Sequence, residues 1–269
     1  MPLRSLTELN PDERRAMSPD EEFPSPDRSK HMSSPGAYRP HHRKPFSDPL
    51  EFFPKGLTKL YSLWVAHTYP FASIGRNVSF HYTSKVDRQR ASRISLGKSS
   101  SLREYAWLNV ADDDPTGEPL IVVDENCHIG FASIVSAKNG IHLERDVLVG
   151  QHVIIVDHNH GYEDILVPVL KQGITEGGTI RIGQGSWIGH GAAIICPRGE
   201  LTIGRNCVVA VNSVVTRSIP DYSLVVGMPA RVIRQYDPDS GVWMMGSKEA
   251  RAARNRAAAV GSGAEHENS

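Results

Sequence analysis

The sequence has few cysteines and no excess of charge of either sign. Its 269 residues include three cysteines, Cys127, Cys196 and Cys207, and none belongs to a close Cys-x-x-Cys pair. A disulfide framework needs denser cysteine, so we expect these three to be buried, reduced thiols. Thirty basic residues balance thirty acidic ones, which excludes a strong overall field that would attract nucleic acid.

Long apolar runs are also missing. No stretch approaches the roughly eighteen apolar residues that a membrane-spanning helix requires. The first fifteen residues, MPLRSLTELNPDERR, lack the apolar centre of a signal peptide. We therefore expect a cytoplasmic protein without a membrane span.

The N-terminal part divides into a tail and a cap. Residues 1–48 hold eight of the eighteen prolines and few aliphatic side chains, a composition that predicts a disordered tail. Between Leu57 and Val65 the apolar residues recur at helical spacing, which predicts a short helix within a cap segment, 49–72. This helix either packs against the end of the following domain or docks on a membrane surface.

The central part shows neither a helical nor an alternating period, because its aliphatic residues recur every six positions. The best register gives five triplets: Leu96, Leu102, Leu108; Val123, Ile129, Val135; Leu143, Val149, Ile155; Ile182, Ile188, Ile194; and Ile203, Val209, Val215. Such a fixed period is typical of a repeat architecture whose units are stable only when stacked. Three hexads make one turn of a triangular coil, and each hexad forms a short strand that pairs with the turns above and below.

Two further patterns support the coil. A small or β-branched residue stands four places after the first and second member of every triplet, where it fits the narrow interior near a corner: Ser100, Ala106, Cys127, Ser133, Val147, Val153, Ser186, Ala192, Cys207 and Ser213. Glycine follows the aliphatic residue at six positions, either to relieve crowding or to allow the backbone angles of a corner. These are Gly97, Gly130, Gly150, Gly183, Gly189 and Gly204.

All insertions fall after the third hexad, at one corner of the coil. The steps between triplets are 15, 8, 27 and 9 residues, where an uninterrupted coil needs six. The longest insertion, about residues 158–178, carries a polar cluster, so function is expected along this edge. The coil domain is predicted to span 73–236, and an alanine-rich basic segment at 247–260 predicts helix in a C-terminal tail, 237–269.

Three segments of the coil domain stand out: VDHNHGYED from Val156, IRIGQGSWIGHGAAI from Ile180, and the run from Leu201 to Arg234 that ends in GMPARVIR. With these segments in this order, residues from about 70 to 236 resemble the hexapeptide-repeat acyltransferases, near the maltose and galactoside O-acetyltransferases and the polysaccharide and lipopolysaccharide O-acetyltransferases. The resemblance implies an all-β fold, a left-handed parallel β-helix. It also implies a homotrimer with active sites between subunits, and acetyl transfer from acetyl-CoA to a hydroxyl of a sugar or polysaccharide precursor.

The resemblance assigns His158 as the general base, because it stands where the family's catalytic histidine stands. Histidine titrates near neutral pH and suits proton removal from an alcohol. Asp157, Glu163 and Asp164 are alternatives for orienting the imidazole, while His160 either shapes the loop or holds the acceptor.

The resemblance also assigns contacts for acetyl-CoA, the co-substrate, and requires no metal. Trp187, Gly189 and His190 match the pantetheine segment, and five more residues lie on the last coils: Val211, Thr216, Arg217, Arg231 and Arg234. The arginines suit the phosphates.

The sequence also departs from the family. Gly130 stands at the nearest match to an asparagine that assists the galactoside enzymes, so galactoside specificity is not implied. The segment IICPRGELTIG is three residues longer than usual, which predicts a small extra loop beside the cofactor channel. Two other classes remain open on this fold: a metal-dependent γ-type carbonic anhydrase, although its H-x-x-x-x-H pair is missing from the coils, and a non-catalytic scaffold.

Overall fold

The computed structural model describes residues 52–112, 116–238 and 240–245. The predicted tail 1–48 and the helix predicted at 247–260 lie outside these ranges. The helix predicted in the cap segment is present as α1 (Phe52–Thr68). Within the described ranges, no helix combines the length and the apolar character needed to cross a bilayer.

Short strands wind into three parallel faces, one for each hexad of the repeat. Face one contains β1 (Ser73–Ile74), β4 (Ile94–Leu96), β7 (Ile121–Val123), β10 (Ile141–Leu143), β13 (Gly177–Ile182) and β16 (Arg198–Ile203). Face two contains β2 (Ser79–Phe80), β5 (Ser101–Leu102), β8 (His128–Ile129), β11 (Leu148–Val149), β14 (Trp187–Ile188), β17 (Val208–Val209) and β19 (Ser223–Val226). Face three contains β3 (Lys85–Val86), β6 (Trp107–Val110), β9 (Ile134–Ala137), β12 (Ile154–Val156), β15 (Ala193–Ile195) and β18 (Val214–Val215).

The predicted repeat register is confirmed residue by residue. All fifteen aliphatic residues of the five triplets are buried, and so are the ten small or β-branched residues that follow them. Members of one face pair directly with their equivalents on the next coil, as Leu143 does with Ile182 and Val149 with Ile188. The interior is therefore a column of aliphatic side chains stacked in register.

The corners depend on left-handed backbone conformations. The residue three places after the first or second interior aliphatic has positive φ on coil after coil, for example Asn126 (57°), Asp146 (61°) and Gly185 (69°). The predicted glycines stand two residues earlier and do not have positive φ. A Cβ added at Gly183 would lie 2.5 Å from the backbone nitrogen of Arg205 on the next coil. Crowding between coils, not corner geometry, is therefore the reason for this glycine.

The coil is longer at both ends than the five triplets suggest. Ile74, Phe80 and Val86 keep the six-residue spacing and form a first coil, in which the interior position of face two is aromatic. At the other end, β19 continues face two, and two antiparallel strands follow it, β20 (Arg231–Asp237) and β21 (Val242–Met245). The hairpin crosses the predicted start of the C-terminal tail, and no sequence pattern indicated it.

Helix α1 is attached to the first coil. The Ser62 hydroxyl accepts a hydrogen bond from the Phe80 N–H (2.9 Å) and lies 3.0 Å from the Phe80 carbonyl oxygen. Val65 is buried in the core, and Phe71 stacks between Tyr69 and Phe80. The helix thus covers part of the open end of face two.

We expect Gly183→Ala to lower the free energy of unfolding by about 1 to 3 kcal/mol, because the new Cβ would press on backbone that cannot rotate away. Gly56→Ala is the matched control: Gly56 lies within α1 with nothing near its Cβ position, so alanine should raise stability by about 0.5 to 1 kcal/mol. Urea unfolding of both variants measures the difference. Equal effects at the two positions would contradict the crowding explanation.

Candidate active site

The long insertion begins with a buried carboxylate. Asp157 directly follows β12 and is fully buried. Its Oδ1 accepts a hydrogen bond from the backbone N–H of Lys138 (2.8 Å), and its Oδ2 accepts from the N–H groups of Asn139 (2.9 Å) and Gly140 (2.8 Å). These donors belong to the corner one coil earlier. A single carboxylate therefore fixes two stacked corners.

The environment of Asp157 keeps it ionised. Burial acts to raise the pKa of this carboxyl, but the hydrogen bonds from His158 and from the three N–H groups outweigh burial, so the net pKa is lowered. A buried carboxylate supplied with several donors is stable as the anion.

His158 is held by that anion. Its Nδ1 lies 2.9 Å from Asp157 Oδ1, and its side chain is only 12% exposed. An ionised carboxylate can only accept, so Nδ1 carries the proton and Nε2 is left as the basic nitrogen. The pair has the arrangement of a general base oriented by a buried acid.

The other two acidic candidates, Glu163 and Asp164, accept hydrogen bonds from backbone N–H groups within the long insertion. Glu163 accepts from the N–H of Tyr162 (3.0 Å), and Asp164 accepts from the N–H of Leu166 (2.9 Å). His160 is exposed and lies in a short antiparallel bridge to Ile174. Of the three carboxylates that the sequence left open, the structure pairs His158 with Asp157.

Asn139 is a polar neighbour that sequence matching missed. A Cβ added at Gly177 would lie 2.9 Å from Asn139 Nδ2 and 3.4 Å from His158 Cβ, so both residues flank this glycine. The Asn139 side-chain amide also donates to the carbonyl of Glu176. The sequence signal that could have identified it is its position, since Asn139 follows the third hexad of the preceding coil as His158 follows that of its own. It was not matched because it lies outside the hexad register.

A polar pocket of about 490 Å³ lies between the long insertion and the next corner. It is lined by residues of the insertion, including Asn159, Glu163 and Gln172, and by Arg198. The prediction of a small extra loop in IICPRGELTIG is wrong. Residues 198–200 instead lengthen β16, where they pair with residues 177–179 of β13. Backbone hydrogen bonding therefore holds Arg198 beside the pocket.

The predicted pantetheine contacts lie on a different side of the coil. Trp187 is half-exposed on face two and pairs in register with the half-exposed Leu148. Both line a groove of about 550 Å³ that also includes Gly150 and His152. His190 packs edge-on against His152, with ring centres 5.2 Å apart. Gly189 is buried, and a Cβ there would meet the carbonyl oxygen of Val209 at 2.7 Å.

The remaining cofactor candidates cluster on the last coils. Val211, Thr216, Arg217, Arg231 and Arg234 are all exposed. The backbone of Val214 hydrogen bonds with Gly227 (3.0 Å) and Ala230 (2.8 Å). This turn brings Ala230, and with it the start of β20 at Arg231, beside β18, the strand that leads to Thr216 and Arg217.

A single chain does not bring His158 and the groove with Trp187 together. His158 stands at the corner that joins faces three and one, whereas Trp187 is on face two, opposite that corner in a three-sided coil. The tip of the long insertion is also unusually apolar, since Ile165, Leu166 and Leu170 are 93%, 87% and 92% exposed. His158 and the groove with Trp187 therefore lie on opposite sides of one chain, and the tip of the insertion is an exposed apolar patch.

The remaining candidates for chemistry are the three cysteines and any group of metal-ligating side chains. Cys127, Cys196 and Cys207 are buried and free, as expected, and burial raises the pKa of Cys127 to about 11. Among the residues that the structure describes, no three His, Cys, Asp or Glu side chains are grouped as metal ligands.

Comparison with known proteins agrees with the predicted resemblance. No family model matches the chain. A probable acetyltransferase of Mycobacterium tuberculosis is 29% identical over 163 residues, which is 60% of this chain and 49% of that protein. An Escherichia coli protein, named provisionally as the lipopolysaccharide biosynthesis O-acetyl transferase WbbJ, is 29% identical over 48% of this chain and 68% of its own length. The chain thus spans about half of the first relative and about two thirds of the second.

Solved structures with the same fold are acyltransferases. AntD, an N-acyltransferase from Bacillus cereus, was solved as a point mutant with dTDP and coenzyme A; it aligns with a TM-score of 0.52 at 18% identity, over 63% of this chain and 87% of its own. Another point mutant of AntD, with dTDP-4-amino-4,6-dideoxyglucose and coenzyme A, has a TM-score of 0.54 at 16% identity, over 74% and 97%. These likenesses confirm the predicted fold, a left-handed parallel β-helix.

We expect Asp157→Asn to lower the free energy of unfolding by about 1 to 3 kcal/mol at about pH 7, because an amide cannot accept from all four donors. A carboxyl whose pKa is lowered on folding stabilises the fold above its unfolded pKa and loses that contribution as the pH falls through the folded value. The native chain should therefore lose more stability between about pH 7 and pH 3 than the variant does. Urea titrations at both pH values measure this.

Asp124→Asn is the matched control, since Asp124 pairs with His142 (3.1 Å) on the exposed surface of face one. It should change stability little. If Asp157→Asn had the same pH dependence as the native chain, the buried anion would be disproved.

Proposed function

We propose that this chain transfers the acetyl group of acetyl-CoA to a hydroxyl of a sugar or polysaccharide precursor, with His158 as general base. The observation that carries the proposal is the His158–Asp157 pair at the corner with the long insertion. The acetyltransferase names of its relatives and the coenzyme A bound in its structural neighbours support the reaction class.

In the proposed mechanism, Nε2 of His158 removes the proton of the acceptor hydroxyl as the oxygen attacks the thioester carbonyl. Asp157 keeps the proton of Nδ1 in place and stabilises the imidazolium that forms. The carbon–sulfur bond then breaks, and the proton passes from Nε2 to the departing thiolate. The pocket lined by Glu163 and Arg198 begins at Asn159, the residue after His158, and it offers polar groups to a saccharide; His158 itself is not part of its lining.

We assign acetyl-CoA to the groove on face two and to the last coils. Trp187, Gly189, His190 and Val211 would line the pantetheine arm, where close stacking of the coils leaves no room for a side chain at Gly189. Thr216, Arg217, Arg231 and Arg234 would hold the phosphates, because guanidinium groups donate to phosphate oxygens in pairs. Trp187 and the arginines are exposed, so these contacts need no rearrangement.

We further propose a homotrimer in which each site lies between two copies. His158 and Trp187 are on opposite sides of one coil, so a shared site requires the corner of one copy to face the groove of another. The apolar tip with Ile165, Leu166 and Leu170 would then be covered by the neighbouring copy, as exposed apolar patches of this kind favour.

The domain boundaries and the location follow the same proposal. We assign residues 73–236 to the acyltransferase domain and place the chain in the cytoplasm, where its three buried free thiols would stay reduced.

We expect His158→Ala to reduce kcat about 10² to 10⁴-fold, because proton transfer from the acceptor would lose its base. Thiol release from acetyl-CoA with a panel of sugars and sugar nucleotides measures turnover, and amino sugars in the panel separate O- from N-acetylation. His142→Ala is the matched control, because it removes a histidine of an exposed His–Asp pair. Near-normal turnover of His158→Ala would rule out the general-base role; no coenzyme A binding by the native chain would favour the scaffold alternative.

We expect Arg231→Gln and Arg234→Gln each to weaken acetyl-CoA binding about 10 to 100-fold, since each would remove hydrogen bonds to a charged phosphate. Calorimetric titration measures Kd. Affinity for acetyl-pantetheine, which has no nucleotide phosphates, should not change. Arg145→Gln is the control, because Arg145 binds Gln184 (3.0 Å) away from the last coils. Unchanged acetyl-CoA affinity in both variants would remove these arginines from the site.

A further inference from the structure

The outer face of α1 is apolar although it points away from the coil. Phe52, Phe53, Leu60, Leu63 and Trp64 are between 49% and 74% exposed. At 100° per residue they fall within about a third of the helix circumference. The packed side chains, Ser62 and Val65, lie on the opposite side. On the outer face Trp64 contacts the rings of Tyr61 (5.8 Å) and Tyr69 (5.5 Å), but all five apolar side chains keep about half or more of their surface exposed.

The charges beside this face are positive. Lys55 and Lys59 lie along one margin of the apolar stripe and are exposed, and His67 lies within it. The helix contains no acidic residue. Glu104, which lines the groove beneath the helix, is paired with Arg103 (3.2 Å). In sequence, the stretch 39–51 before the helix contains three cations, Arg39, Arg43 and Lys44, and two acids, Asp48 and Glu51.

This combination is that of a helix lying in a lipid interface. Such helices present large apolar and aromatic side chains on one face with lysines at its margin, and they bind more strongly when the lipid is anionic. Tryptophan favours the headgroup level because its ring is amphipathic. A protein partner could also cover the five exposed apolar residues. It would not, however, explain the lysines along the margin of the stripe or the absence of acidic residues from the helix.

We propose that the outer face of α1 is a docking surface for an anionic lipid bilayer. The five apolar side chains enter the boundary between headgroups and acyl chains, and Lys59 contacts the headgroups. The bilayer would hold the chain by one helix that lies along the surface. The inference does not depend on the proposed function, because neither the corner with His158 nor the groove with Trp187 contributes to it.

The test is co-sedimentation of the full chain with vesicles of phosphatidylcholine, and with vesicles of phosphatidylcholine mixed with phosphatidylglycerol. We expect binding to the anionic vesicles and much weaker binding to the neutral ones. Leu60→Ser combined with Trp64→Ser should weaken binding at least about tenfold by removing apolar burial. Lys59→Gln should weaken it roughly fivefold on anionic vesicles only. Both variants alter exposed side chains, and thermal unfolding checks that the fold is retained.

Val242→Ser combined with Met245→Ser is the matched control, because it removes two exposed apolar side chains at the other end of the described chain. It should bind like the native chain. The proposal is overturned if the native chain binds neither vesicle, or if the helix variant binds as well as the native chain. It is also overturned if sedimentation velocity shows that the helix variant loses an oligomer that the native chain forms, since the face would then be an interface between copies.

Discussion

Every other feature of this molecule depends on the stacking of one coil on the next. A strand of two or three residues cannot satisfy its own backbone, so each face gains its hydrogen bonds from the coils above and below. The interior aliphatic residues likewise meet their equivalents on adjacent coils, as Leu143 meets Val123 and Ile182. The spacing between coils is therefore fixed by the backbone, which explains why Gly183 has no room for a Cβ.

This constraint decides where chemistry can be placed. In each coil the first two corners turn tightly, and every insertion between the five triplets falls at the third corner. An insertion there leaves the stack unaffected, because the chain leaves and re-enters the column at the same edge. The Asp157 carboxylate lies at that edge and binds the backbone of the preceding corner as well as His158. One buried anion thus joins the long insertion to the column and fixes the imidazole, so local stability and the candidate site have the same physical origin.

The sequence predicted most of the column and only part of the site. The six-residue period placed all fifteen interior aliphatic residues correctly, because each of them packs against the equivalent residue of the next coil. The predicted domain begins at residue 73 and so includes the first coil, but the register of triplets left this coil out, because Phe80 occupies an interior position where the pattern requires an aliphatic residue. The residues that form the hairpin β20–β21 show no repeating hydrophobic period, so the sequence did not predict the hairpin. Choosing Asp157 over Glu163 and Asp164 required knowing which backbone N–H groups approach from another coil, and no pattern in a single chain encodes that distance.

The proposed assembly follows from the same geometry. A three-sided column puts every corner opposite a face, and the residues that follow the third hexad here line a different pocket from the one on face two. The candidate base is at such a corner and the groove with Trp187 is on that face. If both take part in one reaction, two copies must supply them. The apolar tip of the long insertion is then explained as well, because three aliphatic side chains exposed by about nine tenths would be unfavourable in water but suit contact with a neighbouring copy.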